Sequence, residues 1–268
     1  MRISSGILGV TLIGLAFGLV PTHPFDANTT PNAPQRMSPA DALRSAVENL
    51  RGGDKTRGIS ALQYAAENGN DYALWQLGRI YARGEAVPRD DYSAFKYYRK
   101  FADTNSNADP ASPLARYVAD AFVQLGHYYL TGIPGSPVDA NIELAQRMLT
   151  HAATYFGDPE AQYQLARLLL EGKGAGNDPK RAVPWLLLAA NKRHFEAQAL
   201  LGRILFRGEL GRSQRATGLM WLIVAFDGPG ASVPWIAELH ESAIKQASEK
   251  ERAQALALLE RWIDGRRD

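Results

Sequence analysis

In four places along a chain of 268 residues, an alanine is followed by leucine four positions later and by glycine eleven positions later. The registers are Ala73, Leu77, Gly84; Ala121, Leu125, Gly132; Ala161, Leu165, Gly172; and Ala197, Leu201, Gly208. Their first members are separated by 48, 40 and 36 residues. That recurrence restricts the fold to one built by stacking similar units, with longer connections early in the array. At about 100° per residue, positions 0, 4, 7, 8 and 11 of such a register share one face. Positions 7 and 8 are Ile80 and Tyr81, Tyr128 and Tyr129, Leu168 and Leu169, and Ile204 and Leu205. Each register therefore predicts an amphipathic helix closed by a C-terminal glycine.

A second helix is expected after each glycine, opening on an alanine with large residues three and four later and small ones near seven and eight. Ala94 leads to Tyr97, Tyr98 and Ala102; Ala145 to Met148, Leu149, Ala152 and Ala153; Ala182 to Trp185, Leu186, Ala189 and Ala190. Small residues allow two helices to approach closely, and the ring or leucine fills the space beside them. Gly58, Ala61, Leu62, Ala65 and Ala66 form an incomplete upstream copy. Downstream, residues 216–225 keep the alanine start at Ala216 but shift the aromatic, Trp221, to five later. Helices over 234–246 and 248–263, opening at Pro234 and Ser248, are expected to close the chain. No single pair can bury its apolar face alone, so the fold class expected is an all-α solenoid; the competing reading, a compact helical bundle, requires no fixed period.

Residues 1–24 read as a signal peptide, or as an uncleaved anchor: Arg2 precedes the largely apolar residues 3–20, and Pro21 ends the run. Prolines at 21, 24, 31, 34 and 39 make residues 25–39 a flexible spacer, leaving 40–264 for the repeats and their capping helices. The sequence has no cysteine, so a chain exported in this way folds without disulfides or thiolate metal sites. Thirty Lys and Arg against 28 Asp and Glu give a net charge of +2. That balance argues against nucleic acid as a partner.

No residue set for catalysis emerges. The five histidines, His23, His127, His151, His194 and His240, lack metal-ligand spacing, so no metal or other cofactor is expected. Gly172-Lys173-Gly174-Ala175-Gly176 follows a helix and not a strand, which makes it an inter-helix loop and not a nucleotide cradle. Asp90 and Asp91 sit where a helix N-terminus favours negative charge. No small-molecule substrate is implied, and a carbohydrate hydrolase would need a carboxylate-lined cleft that these residues do not supply.

A sharper pattern lies on the first helices. Position 6 reads Arg79, His127, Arg167 and Arg203, and position 3 reads Gln76, Gln124 and Gln164, then Leu200. Both positions fall outside the apolar arc, so stacking is expected to align them as a basic, polar ladder on the concave face, where a partner would bind. The alternative is an ordinary solvated face, because Arg and Gln are common helix formers.

The pattern of residues 73–102 resembles the Sel-like repeat, a relative of the tetratricopeptide repeat, and the likeness extends over residues 54–225. It implies a right-handed α-solenoid of helix-turn-helix units. The runs Tyr128-Tyr129-Leu130-Thr131-Gly132-Ile133-Pro134-Gly135-Ser136-Pro137, Asp91-Tyr92-Ser93-Ala94-Phe95-Lys96 and Phe156-Gly157-Asp158-Pro159-Glu160-Ala161 look like the ExoR family of exopolysaccharide-production negative regulators of Gram-negative bacteria. That resemblance implies a periplasmic protein, non-enzymatic, that binds the sensing domain of a membrane histidine kinase, holds a two-component system off and is itself removed by a periplasmic protease. A scaffold for envelope or glycan-synthesis proteins would use the same solenoid.

Overall fold

The computed structural model describes residues 37–172, 177–211 and 213–265. The expected signal peptide, most of the spacer and most of the 172–176 loop lie outside the described residues. Within them the chain is helical and without strands. Four consecutive pairs carry the four registers: α3 (Asp71–Arg83) with α4 (Asp91–Asn105), α5 (Ala115–Thr131) with α6 (Ile142–Thr154), α7 (Pro159–Leu170) with α8 (Pro179–Asn191), and α9 (Phe195–Arg207) with α10 (Arg215–Phe226). Upstream, α1 (Pro39–Arg51) packs on α2 (Lys55–Glu67), so the incomplete copy at Gly58 is half of a full pair.

Local chemistry sets the helix starts. Four residues before Ala94, Ala145 and Ala182 stand Asp90, Asn141 and Asp178, whose side chains accept from the backbone N–H groups of Ser93, Leu144 and Arg181 at 2.9, 2.9 and 3.0 Å. Such a cap satisfies one of the orphan N–H groups at the helix start. On the first helices Asn70, Asp158 and His194 cap in the same way onto Ala73, Ala161 and Ala197, the register alanines themselves. The step of 48 residues arises because α5 begins after a connection over 106–114 and carries an additional N-terminal turn that lacks a side-chain cap. Gly84 and Gly208 close α3 and α9 in the left-handed region, at φ 69° and 71°. Gly132 closes α5 with a different ψ, 174°, and α7 ends on Glu171, leaving Gly172 one residue beyond its cap.

Within each pair the close contact is formed by a small residue at position 5 of the first helix. An added Cβ at Gly78, Gly126 or Gly202 would lie 2.9, 2.8 and 2.7 Å from Tyr98, Leu149 and Leu222, the large residues four after the start of the second-helix register. The alanines at its far end, Ala102, Ala152, Ala153, Ala189 and Ala190, are buried as the spacing predicts. The fourth pair corrects one assignment. Gln214 stands at the N-cap of α10, the position held elsewhere by Asp or Asn, without a side-chain cap bond, so the residue four later, Gly218 and not Ala216, takes the alanine's place. Counted from Gly218, Trp221, Leu222 and Ala225 fall at three, four and seven, and the register is regular. Ala216 misleads because a glycine carries no apolar signal, although here its missing Cβ admits the backbone of Phe206.

The pairs join through α2 with α3, α4 with α5, α6 with α7 and α8 with α9. First helices of successive pairs also touch, α3 with α5 and α5 with α7, whereas second helices approach one another less closely. That asymmetry bends the stack with first helices on the inside. The last two helices, α11 (Pro234–Gln246) and α12 (Glu249–Asp264), stand where helices are expected to close the chain, and both pack on α10. Arg215 helps to fix them, with Nε donating to Glu251 at 2.7 Å and Nη2 to the carbonyl of Gln246 at 2.8 Å. No described helix is long and apolar enough to cross a membrane.

Candidate partner-binding cleft

Because the first helices line the inside of the bend, positions 3 and 6 of successive registers converge there. Arg79, Gln124, His127, Gln164 and Arg167 all line one cleft of about 620 Å³. Gln76 stands behind it, donating to the Tyr72 hydroxyl at 2.6 Å and accepting from Arg79 Nη2 at 3.0 Å. Arg203 is not among the cleft residues and pairs with Glu209 at 3.6 Å.

The structure adds two properties to this ladder. It is not fully exposed: the side chains of Arg79 and Arg203 are only about a third exposed, and Gln164 is buried. Around Arg79 and Gln164 the first helices α3, α5 and α7 pack side by side, which a helical wheel drawn for one helix omits. Nor is it a row of unopposed cations. Arg79 faces Glu85 at 3.8 Å, Arg167 holds Glu171 at 2.7 Å, and Arg203 faces Glu209. Glu85 and Glu209 each follow the closing glycine, so the turn returns an acid to the arginine of its own helix. His127 adds no charge at neutral pH, since burial pushes its imidazole below the ordinary value of 6.5. Four arginines, Arg79, Arg83, Arg89 and Arg167, line the cleft with Asp120 and Glu171, and Glu85 pairs with Arg79 and Arg83 and Asp91 with Arg89.

Several contributors escaped the spacing argument. Trp75 donates from Nε1 to Asp120 at 2.6 Å across 45 positions of sequence, and Gln124 donates to the same carboxylate at 3.2 Å. Asp120 stands one residue before the register alanine of α5, where α7 and α9 carry Glu160 and Glu196. Tyr72, Trp75 and Tyr117 form an aromatic cluster around it, with centroids 4.6–5.6 Å apart. Aromatic residues at position 2 also take the arginine of position 6 over their faces: Arg79 over Trp75 at 5.6 Å and Arg167 over Tyr163 at 5.9 Å. A glance at i, i+4 aromatic–Arg pairs would have found this.

The third and fourth units share a further device. His194 accepts from Ala197 N–H through Nδ1, so Nε2 carries the proton and donates to Glu160 at 2.8 Å. Burial alone would raise the Glu160 carboxyl, but the hydrogen bonds from His194 and Gln164 outweigh it and hold it below its ordinary range. Gln162 and Gln198, directly after the register alanines, are buried and donate to the carbonyls of Ala153 and Ala190 at 3.1 and 3.0 Å. They add a donor to last-turn carbonyls of the preceding helix; Ala190 also accepts from the Arg193 N–H at 3.0 Å. Among the described residues no group of three His, Cys, Asp or Glu is placed to hold a metal ion.

The Sel1 repeat model matches residues 71–106, 119–154, 159–194 and 195–227, bounds that coincide with the four regular pairs. Two relatives carry the name exopolysaccharide production negative regulator. One, from Rhizobium leguminosarum bv. viciae, is 34% identical over 225 residues, 84% of this chain and 82% of that protein. The other, from Rhizobium meliloti (strain 1021), is 30% identical over 253 residues, 94% and 91% respectively. Among solved structures, a Sel1 repeat protein from Oxalobacter formigenes superposes with a TM-score of 0.62 at 24% identity, covering 86% of this chain and 88% of that one. A protective antigen of uropathogenic Escherichia coli with an SLR fold gives 0.50 at 24% identity, covering 84% and 53%. Those two likenesses establish the fold. The chain is a non-enzymatic scaffold of Sel1 repeats, and it belongs to the family of bacterial exopolysaccharide production negative regulators.

Proposed function

We propose that this chain is a periplasmic negative regulator that binds the sensing domain of a membrane histidine kinase through the first-helix cleft, holding a two-component system for exopolysaccharide production and motility off. A periplasmic protease that removes it would release the kinase. The observation that carries the reading is the convergence of Arg79, Gln124, His127, Gln164 and Arg167 in one half-buried, arginine-lined cleft on the inside of the stack. Repeat scaffolds present partner surfaces there. The names of the relatives supply the regulatory direction, and the leader-like residues 1–24 support the compartment.

The test is the Arg79→Glu, Arg167→Glu double variant, titrated with the purified sensor domain at low and physiological salt. Charge reversal at a complementary surface is expected to weaken binding by at least about tenfold, roughly 1.4 kcal/mol, with the larger loss at low salt. Helical circular dichroism should remain normal. Wild-type affinity at both salt concentrations would refute the cleft as the binding surface.

A further inference from the structure

One arginine of the cleft is poorly matched by its own acid. Arg79 Nε is buried without a hydrogen-bond partner. Its ion-pair partner Glu85 stands 3.8 Å from Nη2, too far for a hydrogen bond, and is shared with Arg83 at 3.3 Å. Such a donor is a standing cost to the fold unless an acceptor enters from outside. One repeat along, Gln124 gives its amide nitrogen to Asp120, and in the next Gln164 gives its own to Glu160 at 2.6 Å. Their carbonyl oxygens make no hydrogen bond among the described residues and remain available as acceptors. Leu168 and Tyr98 supply an apolar part of the lining.

Guanidinium donors, amide acceptors and an apolar lining recurring along one groove match an extended polypeptide. Its side-chain carboxylates meet the arginines, its backbone N–H groups meet the glutamine carbonyls, and its apolar side chains meet the lining. A volume of about 620 Å³ admits a segment and not a folded domain. An anionic glycan would satisfy the arginines equally, but the ring on which a sugar would stack is taken: Trp75 carries Arg79 at 5.6 Å and Tyr117 at 4.6 Å. We infer that the cleft receives an extended acidic peptide segment of its protein partner, and that Glu85 is a placeholder whose position on Arg79 the incoming carboxylate takes. This inference rests on the partner-binding reading above.

The experiment titrates the nitrogen-15-labelled protein with a short acetylated peptide of alternating Glu and Leu. Alternating Gln and Leu serves as the neutral control and trigalacturonate as the anionic sugar. The Glu peptide should shift the Arg79 and Arg167 Nε–H and Trp75 indole signals and bind about tenfold more tightly than either control. Arg79→Gln should abolish that preference. Glu85→Gln, by removing the competing carboxylate, should tighten the Glu peptide about threefold, a gain that a merely structural Glu85 would not give. Equal affinity for the Glu and Gln peptides, a preference for trigalacturonate, or no gain in Glu85→Gln would overturn the inference. The sensor domain is titrated in parallel. Domain binding that survives Arg79→Gln removes the inference and leaves a regulator that uses another surface; no domain binding removes that reading, while the peptide titration still decides the chemistry of the cleft.

Discussion

Replacing Gly218 with alanine tests the α9–α10 contact directly. A Cβ there would lie 2.4 Å from the backbone nitrogen of Phe206, 2.7 Å from the carbonyl oxygen of Gly202 and 2.8 Å from Cα of Phe206. All three are backbone atoms, so no side chain can turn aside. Restoring an ordinary contact of 3.4 Å from 2.4 Å requires the helices to separate by about 1 Å. A gap of that size forfeits roughly a quarter to a half of the dispersion energy of the facing pairs, among them buried Leu201, Leu205, Leu219 and Leu222. Overpacking of this kind costs about 1–3 kcal/mol, and backbone-to-backbone conflict places this site at the upper end. Against it stands a gain of about 1 kcal/mol in helix propensity on replacing a mid-helix glycine. The net expectation is a loss of roughly 2 kcal/mol, or about 4–8 °C in melting temperature for a chain of this size. Helical circular dichroism measures the melt. Hydrogen exchange should place the loss in α9 and α10 before α3 and α4, because stability in a stacked array is local and nearest-neighbour. An unchanged or raised melting temperature would mean that propensity decides and that the two backbones do not touch.

Ala153→Leu and Ala190→Leu, each at a fully packed end of a second helix, should destabilise by about 1–3 kcal/mol in urea unfolding; unchanged midpoints for both would refute close packing there. Gln198→Leu leaves the Ala190 carbonyl its bond from the Arg193 N–H, and Gln162→Leu takes the side-chain donor from the Ala153 carbonyl but also removes a buried side-chain oxygen that has no partner, so each should cost only about 1 kcal/mol in urea unfolding; a loss above about 3 kcal/mol for either would refute this. Burial depresses the imidazoles of His127 and His240, so the unfolded chain takes up protons first as pH falls through 6.5. The urea midpoint should therefore drop below pH 6.5 until the folded histidines themselves protonate, and His127→Gln should shrink that drop; a flat profile between pH 7.5 and 5.5 would refute it.

The sequence by itself determined the periodic part of this protein. Ala73, Leu77 and Gly84 and their three copies mark first helices because a 3.6-residue period and a closing glycine are written locally, and caps such as Asp90 and Asn141 act within three residues of themselves. The same locality placed Arg79, His127 and Arg167 on one side of their helices and predicted that stacking would align them. The tertiary structure decided what depends on neighbours. Only the packing of α10 on α9 reveals that Gly218 replaces an alanine, because the reason for it is the backbone of another helix. Only the turn after Gly84 brings Glu85 back to Arg79, and only the packing of α5 beside α3 sets Asp120 against Trp75. The charge and exposure of the cleft belong to this second class. A helical wheel fixes direction around one axis, whereas burial and ion pairing depend on what the next helix and its returning loop place opposite.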